Sequence, residues 1–157
     1  MTLALPTRLG DRDAMEEQRP ITDRQGLEIL DSDECWRLLA TTPVGRIAFI
    51  DAGEPLILPV THVVAGHRIA FRTASGSKLD AAMMAEPVGF EVDGYDASAQ
   101  EGWSVVVRGV AEPVYDEALL RELDRSGLEP WARAVSRPHW IQIKPSEVTG
   151  RRLTQPH

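Results

Sequence analysis

Apolar residues fall at helical spacing first and at strand spacing afterwards. Ser32 stands where a helix cap belongs, and Asp33 and Glu34 favour the positive helix end. Cys35, Trp36, Leu38 and Leu39 then supply an apolar stripe, and Thr41-Thr42-Pro43 stops it, giving a helix of about two turns. From Val44 the period changes. Val44–Ile50 reads as a strand, Asp51–Pro55 as a turn, Leu56–Val64 as a second strand, and Arg68–Thr73 as a third after the turn Ala65-Gly66-His67. Three strands joined by tight turns predict an antiparallel meander.

The Ser75-Gly76-Ser77-Lys78 segment opens a helix over Leu79–Ala85, closed by Pro87. Val88–Val92 is a fourth strand, Asp93–Gly102 a polar loop, and Trp103–Glu112 a fifth strand with Gly109 placed for a bulge. Asp116–Arg125 carries Leu119, Leu120 and Leu123 on one stripe and is followed by Gly127, so it predicts an amphipathic helix. Trp140–Lys144 is a sixth strand, and Gly150–Leu153 a short basic tail. Six or more antiparallel strands with short helices between them predict a mainly β fold, a small barrel that hides its edges.

Composition narrows this picture. At 157 residues the chain fits one domain. Residues 1–20 are rich in charge and poor in bulky apolar side chains, so they predict a flexible lead-in to a domain over 21–157. A formal net charge of −7 argues against a nucleic-acid or anionic-membrane binder. A single cysteine, Cys35, excludes an internal disulfide and a multi-thiolate metal site, and its place in the helix stripe predicts a buried small hydrophobe. His62, His67, His139 and His157 have no metal-ligand spacing, so no metal is expected. His62 could line a pocket or face water, and Asp93, Tyr95 and Asp96 read as a solvated turn. No apolar run reaches the ~20 residues that span a bilayer, and Met1–Gly10 shows no leader pattern, so the expected location is cytoplasmic.

Chemistry concentrates in Arg68–Ala82. A strand ends in the hydroxyls Thr73 and Ser75, Gly76 permits close backbone approach, and Ser77 and Lys78 begin a helix. Helix-start N–H groups with a hydroxyl and an ammonium suit a phosphate monoester. The same residues also read as a turn and a helix cap with a solvated lysine.

The ordered pieces VGRIAF, LILPV, IAFRT, GSK, VGFEVD and GWSVVVRG resemble the small members of the pyridoxamine 5′-phosphate oxidase-like, FMN-binding split barrels, over roughly residues 25–150. The resemblance implies a split β-barrel and a homodimer with FMN at the subunit interface. It implies that Leu58, Pro59, Val60 and Thr61 face the isoalloxazine ring, and that Phe71, Arg72 and Thr73 lie under the ring and ribityl chain. Ser75, Ser77 and Lys78 would hold the phosphate; true oxidases carry Arg where Ser77 stands. Trp103, Ser104 and Val105 would be offered by the partner subunit, and Trp140 resembles an aromatic near the C-terminus of related proteins. True oxidases also carry a C-terminal segment rich in Arg and His, whereas this chain ends Gly150–His157, so the vitamin oxidase activity is not expected. Nitroimidazole-reductase-like relatives have His in place of Arg72.

The function these readings imply is an FMN-binding oxidoreductase acting on a small-molecule substrate. One alternative exchanges FMN for the deazaflavin coenzyme; another is a flavin- or haem-binding sensor or storage protein without turnover. In each, the cofactor carries the redox chemistry and the protein supplies position and electrostatics.

Overall fold

The structure, a computed structural model, describes residues 20–74, 78–131 and 138–155, with the side chains of Lys78 and Leu79 left aside. The lead-in at residues 1–19 and the loop residues Ser75, Gly76 and Ser77 lie outside the described residues. The elements run β1 (Glu28–Leu30), α1 (Ser32–Thr41), β2 (Val44–Asp51), β3 (Glu54–Thr61), β4 (Val63–Val64) and β5 (Ile69–Ala74). They continue with α2 (Lys78–Ala85), β6 (Val88–Asp96), β7 (Glu101–Pro113), α3 (Glu117–Arg125) and β8 (Pro138–Leu153). No helix among the described residues is long and apolar enough to cross a membrane.

One antiparallel sheet carries the fold in the order β3-β2-β6-β7-β8-β5-β4, with β1 also paired to β8. The two ends of that path, β3 and β4, are consecutive in sequence and separated only by His62. The sheet therefore curls until its edges meet in one stretch of chain without a ladder between them. This is a split barrel, mainly β with short helices. Full closure through hydrogen bonds, the expectation from the strand pattern, is not what forms.

The expected single strand over Leu56–Val64 breaks at His62, and the expected meander breaks with it. β3 pairs only with β2, while β4 turns back onto β5 through Val63↔Ala70. The physical reason lies at the break. His62 is 4% exposed, its backbone N–H reaches the Pro43 carbonyl at 3.3 Å, and its ring packs edge-on to Phe90 at 4.9 Å. A side chain buried there leaves no room for the chain to continue along one ladder.

Three further expectations change. The cap of α1 is Asp31, whose carboxylate accepts the Glu34 N–H at 2.8 Å, one residue earlier than Ser32. The polar loop expected over Asp93–Gly102 is mostly strand. Asp96 instead folds a four-residue turn by accepting the Ser98 and Ala99 N–H groups, so Asp93 and Tyr95 sit on β6. The basic tail Gly150–Leu153 is the end of β8, paired with both β7 and β1. The bulge falls where Gly109 predicted it, between Arg108 and Gly109, because a Cβ at Gly109 would strike the Lys144 carbonyl.

The core fills the barrel with Ile47, Phe49, Ile69, Phe71, Phe90, Val92, Val105, Val107, Ile141 and Ile143. Helix α1 stops one mouth with Cys35, Leu38 and Leu39, and α2 adds Met83. Cys35 is 1% exposed, the buried small hydrophobe expected, and burial pushes its thiol up. A second cluster, Ala70, Val114, Leu123 and Trp140, forms where α3 packs on the outside of β5 and β8. Each buried leucine of this kind contributes about 1.5–3 kcal/mol through lost water contact.

Candidate functional site

The segment that carries most of the candidate residues is the β5–β8 ladder and the helix that follows it. Alternation along β5 sends Phe71 inward, where it is 1% exposed beside Ile141, and Arg72 outward over Trp140. Thr73 returns to the inner face opposite His139. Three residues, Ser75, Gly76 and Ser77, separate the end of β5 at Ala74 from Lys78, where α2 begins.

On the outer face the guanidinium of Arg72 lies 5.5 Å from the centre of the Trp140 ring. Such a contact is worth about 0.5–2 kcal/mol, more where water is excluded. Trp140 is 4% exposed and donates its indole N–H to Asp124 Oδ1 of α3 at 2.7 Å, so the ring is fixed from both sides. The buried Arg72 Nε has no hydrogen-bond partner, and none of the ion pairs among the described residues involves Arg72. A half-buried cation without an anion is costly, and it is the feature of this face that calls for an acceptor. Next to it, Arg68 donates to Gln142, Gln142 donates to Glu112, and Lys144 closes the chain on Glu112 at 2.6 Å. Lys144 holds the Glu112 carboxyl below its ordinary range.

On the inner face His139 Nε2 lies 3.3 Å from Asp80 Oδ1, in the first turn of α2. Neither residue was singled out by the sequence; no motif marks a carboxylate and an imidazole separated by so much chain. Asp124, which orients Trp140, was equally hidden.

The β3 residues form a separate wall. Leu58 and Val60 turn toward the core opposite Ile47 and Gly45, Pro59 is exposed, and Thr61 donates to the Glu129 carbonyl at 2.5 Å. β3 is an edge strand, so backbone groups on its free side have no ladder partner. Pro55 and Pro59 suit such an edge, lacking the N–H that a further strand would need.

Trp103, Ser104 and Val105 lie elsewhere. Trp103 pairs with Arg152 at the far end of β8, twelve residues from Trp140, or up to about 40 Å along the strand. Its indole lies flat across Gly94, where an added Cβ would come within 2.7 Å of Nε1. A hollow of about 330 Å³ opens there, lined by Trp103, Gly94, Tyr95, Glu101 and Arg152 among others. Ser104 is half-buried, and Val105 is a core residue with 0% exposure, so only its backbone could meet a ligand. Thus one chain sets Phe71 and Thr73 on the inner face and Arg72 and Trp140 on the outer face of one ladder, holds Leu58–Thr61 on a separate edge strand, and keeps Trp103–Val105 at the opposite end of β8. No group of three or more His, Cys, Asp or Glu side chains among the described residues could hold a metal.

The chain is similar to known proteins in sequence and in fold. The family model for pyridoxamine 5′-phosphate oxidase matches residues 31–152. An uncharacterized protein of Mycobacterium tuberculosis is 36% identical over 139 residues, 85% of this chain and 90% of that protein. The FAD binding protein from Mycobacterium smegmatis is 42% identical, with a TM-score of 0.69, covering 80% of this chain and 98% of the other. The FAD and haem binding protein from the same organism shares the fold at 17% identity, with a TM-score of 0.62 over 80% of this chain and 72% of that one.

Proposed function

Because this chain belongs to the pyridoxamine 5′-phosphate oxidase family, of which it is a small member, we propose that it binds FMN between two copies of itself and serves as a flavin-dependent oxidoreductase. The observation that carries the reading is Arg72. Its Nε is buried without a partner beside a fixed indole, at the end of the strand that leads to Lys78. The donor set suits a flavin, which brings carbonyl acceptors on its ring and an anionic phosphate on its tail. The bound flavin supplies hydride or electron transfer. The chain's own part is to bind and orient: Leu58, Pro59, Val60 and Thr61 offer backbone along the ring, Phe71, Arg72 and Thr73 support it, and Ser75, Ser77 and Lys78 take the phosphate. Trp140 keeps the Arg72 guanidinium in place.

The partner copy supplies Trp103, Ser104 and Val105. Those residues and Trp140 stand at opposite ends of β8, so a ligand that touches both sets takes them from two chains. An apolar patch supports the pairing. Ile50, Ile57, Val106 and Val110 are 46, 62, 37 and 49% exposed on the outer face of β3, β2 and β7. Ala48 and Gly89 leave a shallow hollow between Ile57 and Val106, bordered by the Arg46–Glu91 ion pair. Exposed apolar area of this kind marks an interface in soluble proteins.

A second reading keeps the site and lengthens the ligand to FAD, favoured by the 42% identical relative described as FAD-binding. Absorbance of the purified protein and of the ligand released on denaturation tests both. Oxidised flavin bands with a released mononucleotide support FMN, and a released dinucleotide supports FAD. A deazaflavin band or a haem Soret band would overturn the flavin reading.

A further inference from the structure

We propose that Asp124 of α3 is a positioning residue for Arg72, acting through the Trp140 ring, which makes α3 a working part of the flavin site. The proposal rests on the flavin reading above. Arg72 and Trp140 face each other directly in the β5–β8 ladder, and the guanidinium carbon lies 5.5 Å from the ring centre. That is the only polar or ring interaction of the Arg72 side chain among the described residues, and its buried Nε has no hydrogen-bond partner. Trp140 in turn donates its indole N–H to Asp124 Oδ1 at 2.7 Å. Side chains from α3, β8 and β5 therefore form one line, and it ends on an unpaired cation.

Docking of the helix does not account for Asp124. Leu119, Leu120 and Leu123 seat α3 against Ala70, Val114 and Trp140, and that packing needs no carboxylate. Asp124 also stands in the last turn of α3, at the negative end of the helix dipole, where a carboxylate is unfavourable. Aspartate is a poor helix former besides. What the carboxylate adds is direction and charge at the ring. The Trp140 indole is 4% exposed and cannot turn without breaking its N–H bond, so it presents one fixed face to Arg72. An N–H bonded to a carboxylate also leaves more electron density on the ring, which strengthens its pull on a cation. The guanidinium is then held in place before a ligand arrives, and less freedom is lost on binding.

The test is a double-mutant cycle read by fluorescence titration of FMN into the wild type, Asp124→Ala, Asp124→Asn, Arg72→Leu and the Asp124→Ala/Arg72→Leu pair. Asp124→Ala should weaken FMN roughly three- to tenfold, within the range of coupled neighbours. Asp124→Asn, whose amide oxygen still accepts from the indole, should bind FMN as the wild type does. In the Arg72→Leu background the alanine should bring no further loss. Unchanged binding in Asp124→Ala, the same loss in both backgrounds, or failure of asparagine to rescue would overturn the proposal. A wild type that binds no flavin overturns the reading of the site instead, and solvent exchange of the Arg72 Nε–H, followed by NMR, then decides the link to Asp124. Faster exchange in Asp124→Ala that asparagine reverses sustains it. Unchanged exchange, or exchange that asparagine does not restore, overturns it.

Discussion

His62 donates from Nε2 to the Leu39 carbonyl at 2.9 Å, and that one bond ties α1 to the seam where the barrel splits. A carbonyl can only accept, so the proton sits on Nε2 and Nδ1 is a bare acceptor. Nδ1 is buried without a hydrogen-bond partner. Burial pushes the His62 pKa down, more than the Leu39 bond pulls it up.

That imbalance has a sign. A histidine whose folded pKa lies below its ordinary value of about 6.5 gives stability that is full above that value and is lost as pH falls through and below it. Thermal melts of the wild type should therefore drop between pH 7 and pH 5. His62→Gln keeps a donor for Leu39 but does not titrate, so its melting temperature should fall less over the same range. Equal slopes for the two proteins would remove His62 as the cause.

Glu34 behaves in the opposite sense. Arg37 first, then Arg152, hold its carboxyl down to about 2 against the opposing effect of burial. Its contribution is present above the ordinary carboxylate range and disappears as pH falls from about 4.5 toward 2. The pairs are partly exposed, so Glu34→Gln should cost only about 1 kcal/mol at pH 7, or roughly 2–4 °C in Tm. The gap to the wild type should close near pH 2. A gap that persists there would mean that the cost is packing rather than charge.

Gly150 tests how tightly α1 seats on β8. An added Cβ would stand 2.6 Å from Cys35 Sγ and 3.0 Å from Leu30 Cβ. Gly150→Ala should cost about 1–3 kcal/mol in denaturant unfolding. Adding Cys35→Ala removes the nearer clash, so the double variant should be more stable than the sum of the singles by at least about 0.5 kcal/mol. Strict additivity would show that the helix shifts aside instead.

The strands were legible because their signals are local. VGRIAFI and WSVVVRGV alternate with period two, and Gly109 marks its own bulge. What escaped was set by distant contacts. The break at His62 depends on Phe90 and Leu39, far along the chain, and β1 becomes a strand only because β8 runs on to Leu153 beside it. In the candidate site, Phe71, Arg72, Thr73 and Trp140 meet as a strand pair, which sequence order alone could suggest only through resemblance. Asp80, Asp124 and His139 carried no spacing signal, because each acts through a partner on another element.

Lys78 begins α2, and the proposed phosphate site takes its ammonium together with N–H groups at the helix start. A charge-assisted contact is worth roughly 1.5–3 kcal/mol, so Lys78→Ala should weaken FMN about 10–150-fold. Lys78→Arg should retain most of the binding, and riboflavin should bind the wild type and the alanine variant alike. Equal losses for riboflavin and FMN would move the phosphate site elsewhere.

Sedimentation of the protein with FMN, followed at the flavin's own absorbance, tests the central claim most directly. The account predicts that the flavin travels with a species of twice the 17.4 kDa chain mass, at one flavin per chain. Flavin travelling with a 17.4 kDa monomer, or left behind unbound, would contradict it.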